Sequence, residues 1–112
     1  MESNLAEKSC KACHGGMPKL SDGEISSYLS KVQGWSFIEH HHISKTFNFP
    51  DFVSALSFVN KVGEIAEAEG HHPDIYLTWG KALIDIWSHI ANGLTENDFI
   101  LAAKIDKLTL NR

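Results

Sequence analysis

Two adjacent histidines at a predicted helix end are the strongest indication of chemistry in this sequence. His71 and His72 follow a helix-like segment that stops at Gly70, and they precede Pro73. A proline restricts the residue before it to extended backbone angles, so consecutive side chains at this stiff corner point in different directions. Histidine titrates near neutral pH and can act as a general acid or a general base. The corner could therefore present two proton-transfer groups to one ligand.

Further candidates surround this pair. By itself, a histidine pair at a helix end more often caps the helix than performs catalysis. Glu67 lies one helical turn before His71 and could orient it, although a solvated helix-surface carboxylate is an equally good interpretation. His89 and Asp98 follow farther along the chain. Asp98 could hydrogen-bond a histidine, or it could serve only in the capping box of a helix that begins after Thr95.

The first half of the chain predicts one helix and two strands to position these residues. Ser21 and Glu24 form a capping box at the start of a helix whose apolar residues recur every three or four positions, and Gly34 is expected to end it. From residue 35 to residue 49 the apolar residues alternate, which predicts a pair of strands. The Glu-His-His-His run at residues 39–42 would form the solvated turn between them.

The second half repeats this pattern. A proline and an aspartate at residues 50–51 open a long amphipathic helix that ends at Gly70. Two alternating strands follow, with a turn at residues 80–81, and a last helix starts after Thr95. Four side chains are expected to share one face of the second of these strands: Leu83, Asp85, Trp87 and His89.

The order of elements is α-β-β-α-β-β-α, without a repeat or a linker. Hairpins segregated from helices are typical of an α+β fold, here a four-stranded antiparallel sheet with three helices packed on one face. The other face would need solvent or a partner, so an oligomer is expected. Residues 1–20 are polar and show no period, which predicts a flexible N-terminal arm before a single domain at residues 21–112.

Charge and composition exclude several classes of protein. The net charge over 112 residues is −4 with histidine neutral, and no long basic run is present, so direct nucleic-acid binding is not expected. No apolar stretch approaches the ~20 residues that cross a bilayer, so no membrane span is expected. The first residues lack the basic and apolar regions of a secretory signal. A cytoplasmic location is the simplest expectation.

Two other motifs are interpreted without a metal. Cys10 and Cys13, with His14 directly after them, resemble half of a zinc site. A tetrahedral zinc site needs four ligands, and the sequence has no second cysteine pair. Residues 40–42 could complete the site only if the arm folded over the hairpin, so we favour an arm with free thiols.

The order and spacing of these motifs resemble those of the pterin-4a-carbinolamine dehydratase family. The shared pattern is a carboxylate, three residues, His-His-Pro, an aromatic residue, a third histidine and a later aspartate, which here are Glu67, His71-His72-Pro73, Trp79, His89 and Asp98. The Gly-Trp pair at residues 34–35 and the segments at residues 47–52 and 93–98 also resemble that family. The resemblance covers roughly residues 20 to 108.

The resemblance implies an enzyme that removes water from a 4a-hydroxytetrahydropterin and yields a quinonoid dihydropterin. This reaction recycles the tetrahydrobiopterin cofactor of aromatic amino acid hydroxylases, which gives a functional link to such an enzyme. An acid and a base suffice for it, so neither a metal nor a cofactor is expected. His71, His72 and His89 are expected to surround the pterin substrate, with His71 and His89 as the proton-transfer pair and His72 against the departing hydroxyl or the ring.

Four further residues are assigned to the substrate site by the same resemblance: Glu67, Pro73, Trp35 and Asp98. Trp35 would flank the pterin ring, although a half-buried strand tryptophan is the commoner interpretation, and Trp79 is expected in the core. The family also implies a competing function, since some animal relatives act as dimerisation partners for a transcription factor. A non-enzymatic dimerisation or transcriptional coactivator protein is therefore the alternative to a dehydratase.

Overall fold

The computed structural model of the chain describes residues 5–8 and 18–109. Three helices and four strands follow one another in the predicted order α-β-β-α-β-β-α, which is confirmed. Their bounds are α1 Asp22–Leu29, β1 Ser36–Ile38, β2 His42–Asn48, α2 Phe52–Glu69, β3 Asp74–Thr78, β4 Lys81–Ile86 and α3 Glu96–Thr109.

The four strands form one antiparallel sheet in the order β1-β2-β4-β3, and the helices pack on one of its faces. Side chains alternate between the two faces of a strand. The helix-facing side chains of β2 and β4 are therefore buried together, and they include Ile43, Phe47, Ala82, Ile84 and Ile86. This arrangement confirms the predicted α+β fold, and none of the helices among the described residues covers the other face of the sheet.

Local sequence signals determine most of the helix ends. Ser21 caps α1 and forms the predicted capping box with Glu24. The expectation that this helix runs to Gly34 is wrong, since it ends at Leu29 and turns carry the chain onward to β1. Val32 continues the helical spacing of apolar residues because it is buried in the core, but it lies in the turns after the helix.

Helix α2 is capped at both ends by the residues that the sequence indicates, Asp51 and Gly70. The side chain of Asp51 accepts a hydrogen bond from the Ser54 backbone N–H at 2.8 Å, so Asp51 is the N-cap. Gly70 ends the helix in the left-handed conformation at φ 66°. Side chains with a Cβ rarely adopt this conformation, so glycine at this position fixes where the chain leaves the helix toward His71.

The sheet gathers six of the seven histidines of the sequence at one end. His42 begins β2 opposite Ile38, and Ile43 pairs with Ile86 at the end of β4. β3 begins at Asp74, just after His72, and Asp74 pairs with Asp85 near the end of β4. His72 therefore lies close to the end of β4. The histidines of residues 40–42, of residues 71–72 and of residue 89 therefore converge, although they are far apart in the sequence.

Part of the predicted N-terminal arm is packed against α3. Residues 5–7 form one 3₁₀ turn whose Leu5 side chain is buried. Lys8 Nζ lies 2.7 Å from Glu96 Oε2, and Lys104 Nζ donates to the Ala6 carbonyl at 2.9 Å. Cys10, Cys13 and the interpretation given to them lie outside the described residues. The flexibility of the arm as a whole stays a prediction.

One ion pair is enclosed between the sheet and α3. Lys45 points to the helix-facing side of β2, and its Nζ donates to Asp106 Oδ1 at 2.9 Å. The indole N–H of Trp35 donates to Asp106 Oδ2 at 3.0 Å. Burial raises the pKa of Asp106 above its ordinary value of 3.8, because desolvation of the carboxylate outweighs the hydrogen bond and the charge of Lys45.

The raised pKa of Asp106 predicts a pH-dependent effect of Asp106→Asn. In the wild type the unfolded chain ionises this residue first, so its contribution to stability is present below pH 3.8 and is lost as pH rises through the folded-state pKa. Asparagine does not ionise. We therefore expect the unfolding free energy of the variant to rise relative to the wild type as pH increases from about 3 through the folded-state pKa of Asp106.

Urea unfolding across this pH range measures the effect. Asp22→Asn, which changes a carboxylate whose side chain is 75% exposed, is the matched control and should lack the rise. A difference for Asp106→Asn that stays constant with pH, or that falls, would show that burial does not dominate at Asp106.

Candidate active site

A buried histidine–aspartate pair lies at the centre of the gathered histidines. His71 follows the left-handed Gly70, and its backbone N–H donates to the Ala66 carbonyl at 3.2 Å, which ties it to the last turn of α2. Its ring Nε2 lies 2.6 Å from Asp98 Oδ1. His71 is 6% exposed and Asp98 is fully buried, so this contact is shielded from water.

Asp98 also organises the start of α3. Its Oδ2 accepts hydrogen bonds from the Ser88 hydroxyl at 2.9 Å and from the Thr95 backbone N–H at 2.8 Å. The hydroxyls of Ser88 and Thr95 lie 2.9 Å apart. Asp98 therefore serves in the capping box and also binds a histidine, because Oδ2 accepts from the Thr95 N–H while Oδ1 contacts His71. Its assignment to the substrate site stays a prediction.

This arrangement determines which nitrogen of His71 can exchange a proton. A carboxylate is an acceptor, so Asp98 holds Nε2 of His71 as its N–H donor. Proton exchange is then left to Nδ1, and the adjacent carboxylate stabilises the imidazolium that forms when Nδ1 takes a proton. His71 and Asp98 thus have the geometry of a general base with its orienting group.

A second histidine–carboxylate pair is exposed to solvent. His72 Nε2 lies 2.6 Å from Glu67 Oε2, with 57% and 79% of the two side chains exposed. The expectation that Glu67 orients His71 is wrong, because Gly70 turns the chain so that His72 returns over the last turn of α2 while His71 enters the interior. The hydrogen bond orients His72. Because solvent screens the two charges, the pair adds little to the stability of the fold.

The prediction that His89 lies on a strand face is wrong, because His89 lies in a turn. β4 ends at Ile86, and the chain then makes an isolated bridge between Ser88 and Gly93. The Asn92 backbone N–H donates to the His89 carbonyl at 3.2 Å, which closes the turn. The His89 side chain is exposed, and its ring centroid lies 4.6 Å from that of Trp87. Because Ser88 binds Asp98, the residue before His89 and the ring of His71 share one carboxylate.

Three other residues of the family pattern lie in different surroundings. Trp35 is 6% exposed, binds Asp106 and stacks edge-on against Phe47, which are the contacts of a core side chain. Its role in flanking a pterin stays a prediction. Pro73 is half-buried between His72 and β3. The expectation that Trp79 is in the core is wrong, since it is 68% exposed at the β3–β4 turn, at the far end of the sheet.

Metal clusters and membrane-spanning helices are both absent from residues 5–8 and 18–109. Within them, no group of three or more histidine, cysteine, aspartate or glutamate side chains is arranged to hold a metal ion. None of the helices in the same ranges is long and apolar enough to cross a membrane.

The sequence is similar to those of known proteins over most of its length. A family model described as "Pterin 4 alpha carbinolamine dehydratase" matches residues 18–108. A relative from Rubrobacter xylanophilus, provisionally named pterin-4-alpha-carbinolamine dehydratase, is 47% identical over 106 residues and covers 95% of this chain and 99% of its own. A relative from Rickettsia canadensis with the same provisional name is 50% identical over 103 residues and covers 91% and 94%.

A solved structure extends the similarity to the fold. The crystal structure described as a transcriptional coactivator/pterin dehydratase from Brucella melitensis matches with a TM-score of 0.77 and 27% sequence identity. The match covers 80% of this chain and 97% of that one. These similarities confirm the resemblance seen in the motif order, and the chain belongs to the pterin-4a-carbinolamine dehydratase family.

Proposed function

We propose that this chain removes water from a 4a-hydroxytetrahydropterin and releases a quinonoid dihydropterin, with histidines as general acid and general base. Membership of the dehydratase family supports the reaction. The observation that carries the mechanism is the 2.6 Å contact between His71 Nε2 and the fully buried Asp98. A histidine whose second ring nitrogen is held by a carboxylate has the orientation of a general base.

The reaction requires two proton transfers. The hydroxyl leaves C4a with one added proton as water, the N5–H bond breaks, and a C4a=N5 double bond forms. We assign the base to His71, because Asp98 stabilises the imidazolium that results when Nδ1 takes the N5 proton. We assign the acid to His89, whose exposed ring can protonate the departing hydroxyl and regain its proton from solvent.

The remaining site residues would bind and orient the substrate. His72, held by Glu67, is proposed to contact the departing hydroxyl or the pterin ring, and Pro73 to fix the backbone beneath it. Asp98 has both carboxylate oxygens engaged by His71, Ser88 and Thr95. We therefore propose that Asp98 acts through His71 and does not contact the pterin.

A coupled assay tests the function. A hydroxylase generates the 4a-hydroxytetrahydropterin, and formation of the quinonoid product is followed with and without the purified wild-type chain after treatment with a chelator. We expect an acceleration on the order of 10²–10⁴-fold, the range that positioned acids and bases supply. A folded protein that gave no acceleration would contradict the proposal, and the non-enzymatic coactivator alternative would become the leading account.

Three wider expectations accompany this function and stay predictions. The helix-free face of the sheet supports an assembly of two or four chains, and it carries Tyr76, which is 52% exposed, beside the half-buried Leu83. We propose that this face mediates a homodimer or homotetramer. A functional link to an aromatic amino acid hydroxylase and a cytoplasmic location follow from the proposed reaction.

A further inference from the structure

The histidine run of the β1–β2 hairpin meets the turn that carries His89. Trp87 lies between them, half-buried, with its ring centroid 5.0 Å from that of His41 and 5.9 Å from that of His42. The same indole centroid lies 4.6 Å from that of His89. The three ring contacts form a continuous row from the hairpin to His89.

Hydrogen bonds fix both ends of this row. His41 Nε2 lies 3.2 Å from Asn92 Oδ1, and its Nδ1 lies 3.2 Å from Nδ1 of His42. Asn92, at a left-handed φ of 52°, also donates its backbone N–H to the His89 carbonyl. His41 therefore contacts the His89 turn twice, through the ring of Trp87 and through the side chain of Asn92.

We propose that Trp87 is a positioning residue for His89, and that His41 holds Trp87 and the His89 turn in place from the hairpin. The inference rests on the proposed function insofar as His89 transfers a proton. Burial does not confine the exposed ring of His89, which could otherwise occupy several staggered rotamers. The indole face beside it limits that choice. Misplacement of a reacting group by about 1 Å can cost on the order of 100-fold in rate.

Kinetics of Trp87→Leu and His41→Ala test the coupling to His89. Each substitution is expected to lower kcat, by about tenfold or more for Trp87→Leu and somewhat less for His41→Ala, with a smaller change in KM. In a His89→Ala background the same substitutions should change kcat by less than about twofold, because the group that they position is gone. Trp79→Leu and His40→Ala, at exposed positions outside the row, are the matched controls and should leave kcat unchanged.

Carbon–proton correlation spectra of the histidine rings test the same geometry without the reaction. The His89 signal is assigned by its loss in His89→Ala. We expect His41→Ala to shift this signal in the wild type and to shift it less in a Trp87→Leu background, since the contact through the indole ring is then lost and only the one through Asn92 remains. Trp79→Leu should not move it in either.

The two measurements separate failure of the positioning role from failure of the proposed function. An effect of Trp87→Leu on kcat that persists at full size in the His89→Ala background would overturn the positioning role, as would a wild-type kcat in Trp87→Leu. If the chain lacks dehydratase activity altogether, the spectra decide alone. A His89 signal that does not respond to His41→Ala then overturns the inference, as does a shift of equal size in the Trp87→Leu background, whereas a shift that Trp87→Leu reduces supports it.

Discussion

Replacing His71 by glutamine is expected to lower the kcat of dehydration by about 10²- to 10⁴-fold, the contribution of a positioned general base. Glutamine can still donate a hydrogen bond toward Asp98, so the buried carboxylate keeps a partner and the fold should persist. It cannot accept a proton at neutral pH. The coupled assay measures the loss, and thermal unfolding checks that the variant is folded.

His40→Gln provides the matched control for this substitution. His40 belongs to the same gathering of histidines, but its side chain is 78% exposed at the tip of the hairpin. Its replacement should leave kcat within about twofold of the wild type, as for most surface changes away from a site. A folded His71→Gln variant with the activity of the wild type would remove His71 from the mechanism and leave His72 and His89 as the only candidate bases.

Asp98→Asn is expected to have the second large effect, and it should affect activity and stability together. The asparagine oxygen can still accept from Ser88 and the Thr95 N–H, which turns its amide N–H₂ toward Nε2 of His71. His71 must then accept a hydrogen bond at Nε2 and carry its proton on Nδ1. A protonated Nδ1 cannot take a proton from the substrate. We expect a loss of about 10²- to 10⁴-fold in kcat from this wrong tautomer.

Stability should also fall in Asp98→Asn, by about 1–3 kcal/mol, because charge-assisted hydrogen bonds in a buried network become neutral ones. The kcat and the urea unfolding midpoint are measured on the same preparation. Wild-type kcat in this variant would show that Asp98 does not select the tautomer of His71, whatever its effect on folding.

Glu67→Gln is the natural comparison, since it alters the other carboxylate–histidine pair in the same way. The Glu67 side chain is 79% exposed, so neither its charge nor its hydrogen bond is shielded from water. We expect a loss of less than about tenfold in kcat and no measurable change in the unfolding midpoint. Equal losses for Asp98→Asn and Glu67→Gln would contradict the distinction between a buried base and an exposed orienting pair.

The sequence was most informative where the determinants are local. The capping box of Ser21 with Glu24, the N-cap at Asp51 and the stop at Gly70 each depend on residues within one helical turn, and the structure has all three. The order of helices and strands followed from periods of 3.6 and 2 in the same way. The family resemblance added the expected roles of three histidines at the substrate. The fold places six of the seven histidines at one end of the sheet.

The pairing of side chains within the site could not be obtained from the sequence. Asp98 reaches His71 across 27 positions and Ser88 across 10, and no local rule selects those partners. Ser88 was not identified in advance, although a small hydroxyl residue directly before a candidate catalytic histidine was a usable signal. Glu67 was assigned to His71 because residues four apart share a helix face, a rule that fails once Gly70 has ended the helix.

The strand assignment of His89 failed for a related reason. Alternation of side chains continues in the sequence through Trp87 to His89, but Ser88 turns inward to Asp98 and bridges to Gly93, which ends the strand at Ile86. The hairpin turn at residues 39–41 was predicted correctly, with Glu39 and His40 in left-handed conformations. His41 and His42, expected to be solvated, are half-buried because the turn of a distant strand pair covers them.

The outer strand of the hairpin is the shortest strand of the sheet. β1 has three residues and pairs only with β2, at the edge of the sheet. Edge elements with few backbone hydrogen bonds open locally at a free energy far below that of global unfolding. Such opening would separate His41 from Trp87 and leave the pair of His71 and Asp98 enclosed. Moderate warming would then lower the activity by no more than the loss expected for His41→Ala while the core stays folded, and full activity would return as soon as the edge closed again on cooling.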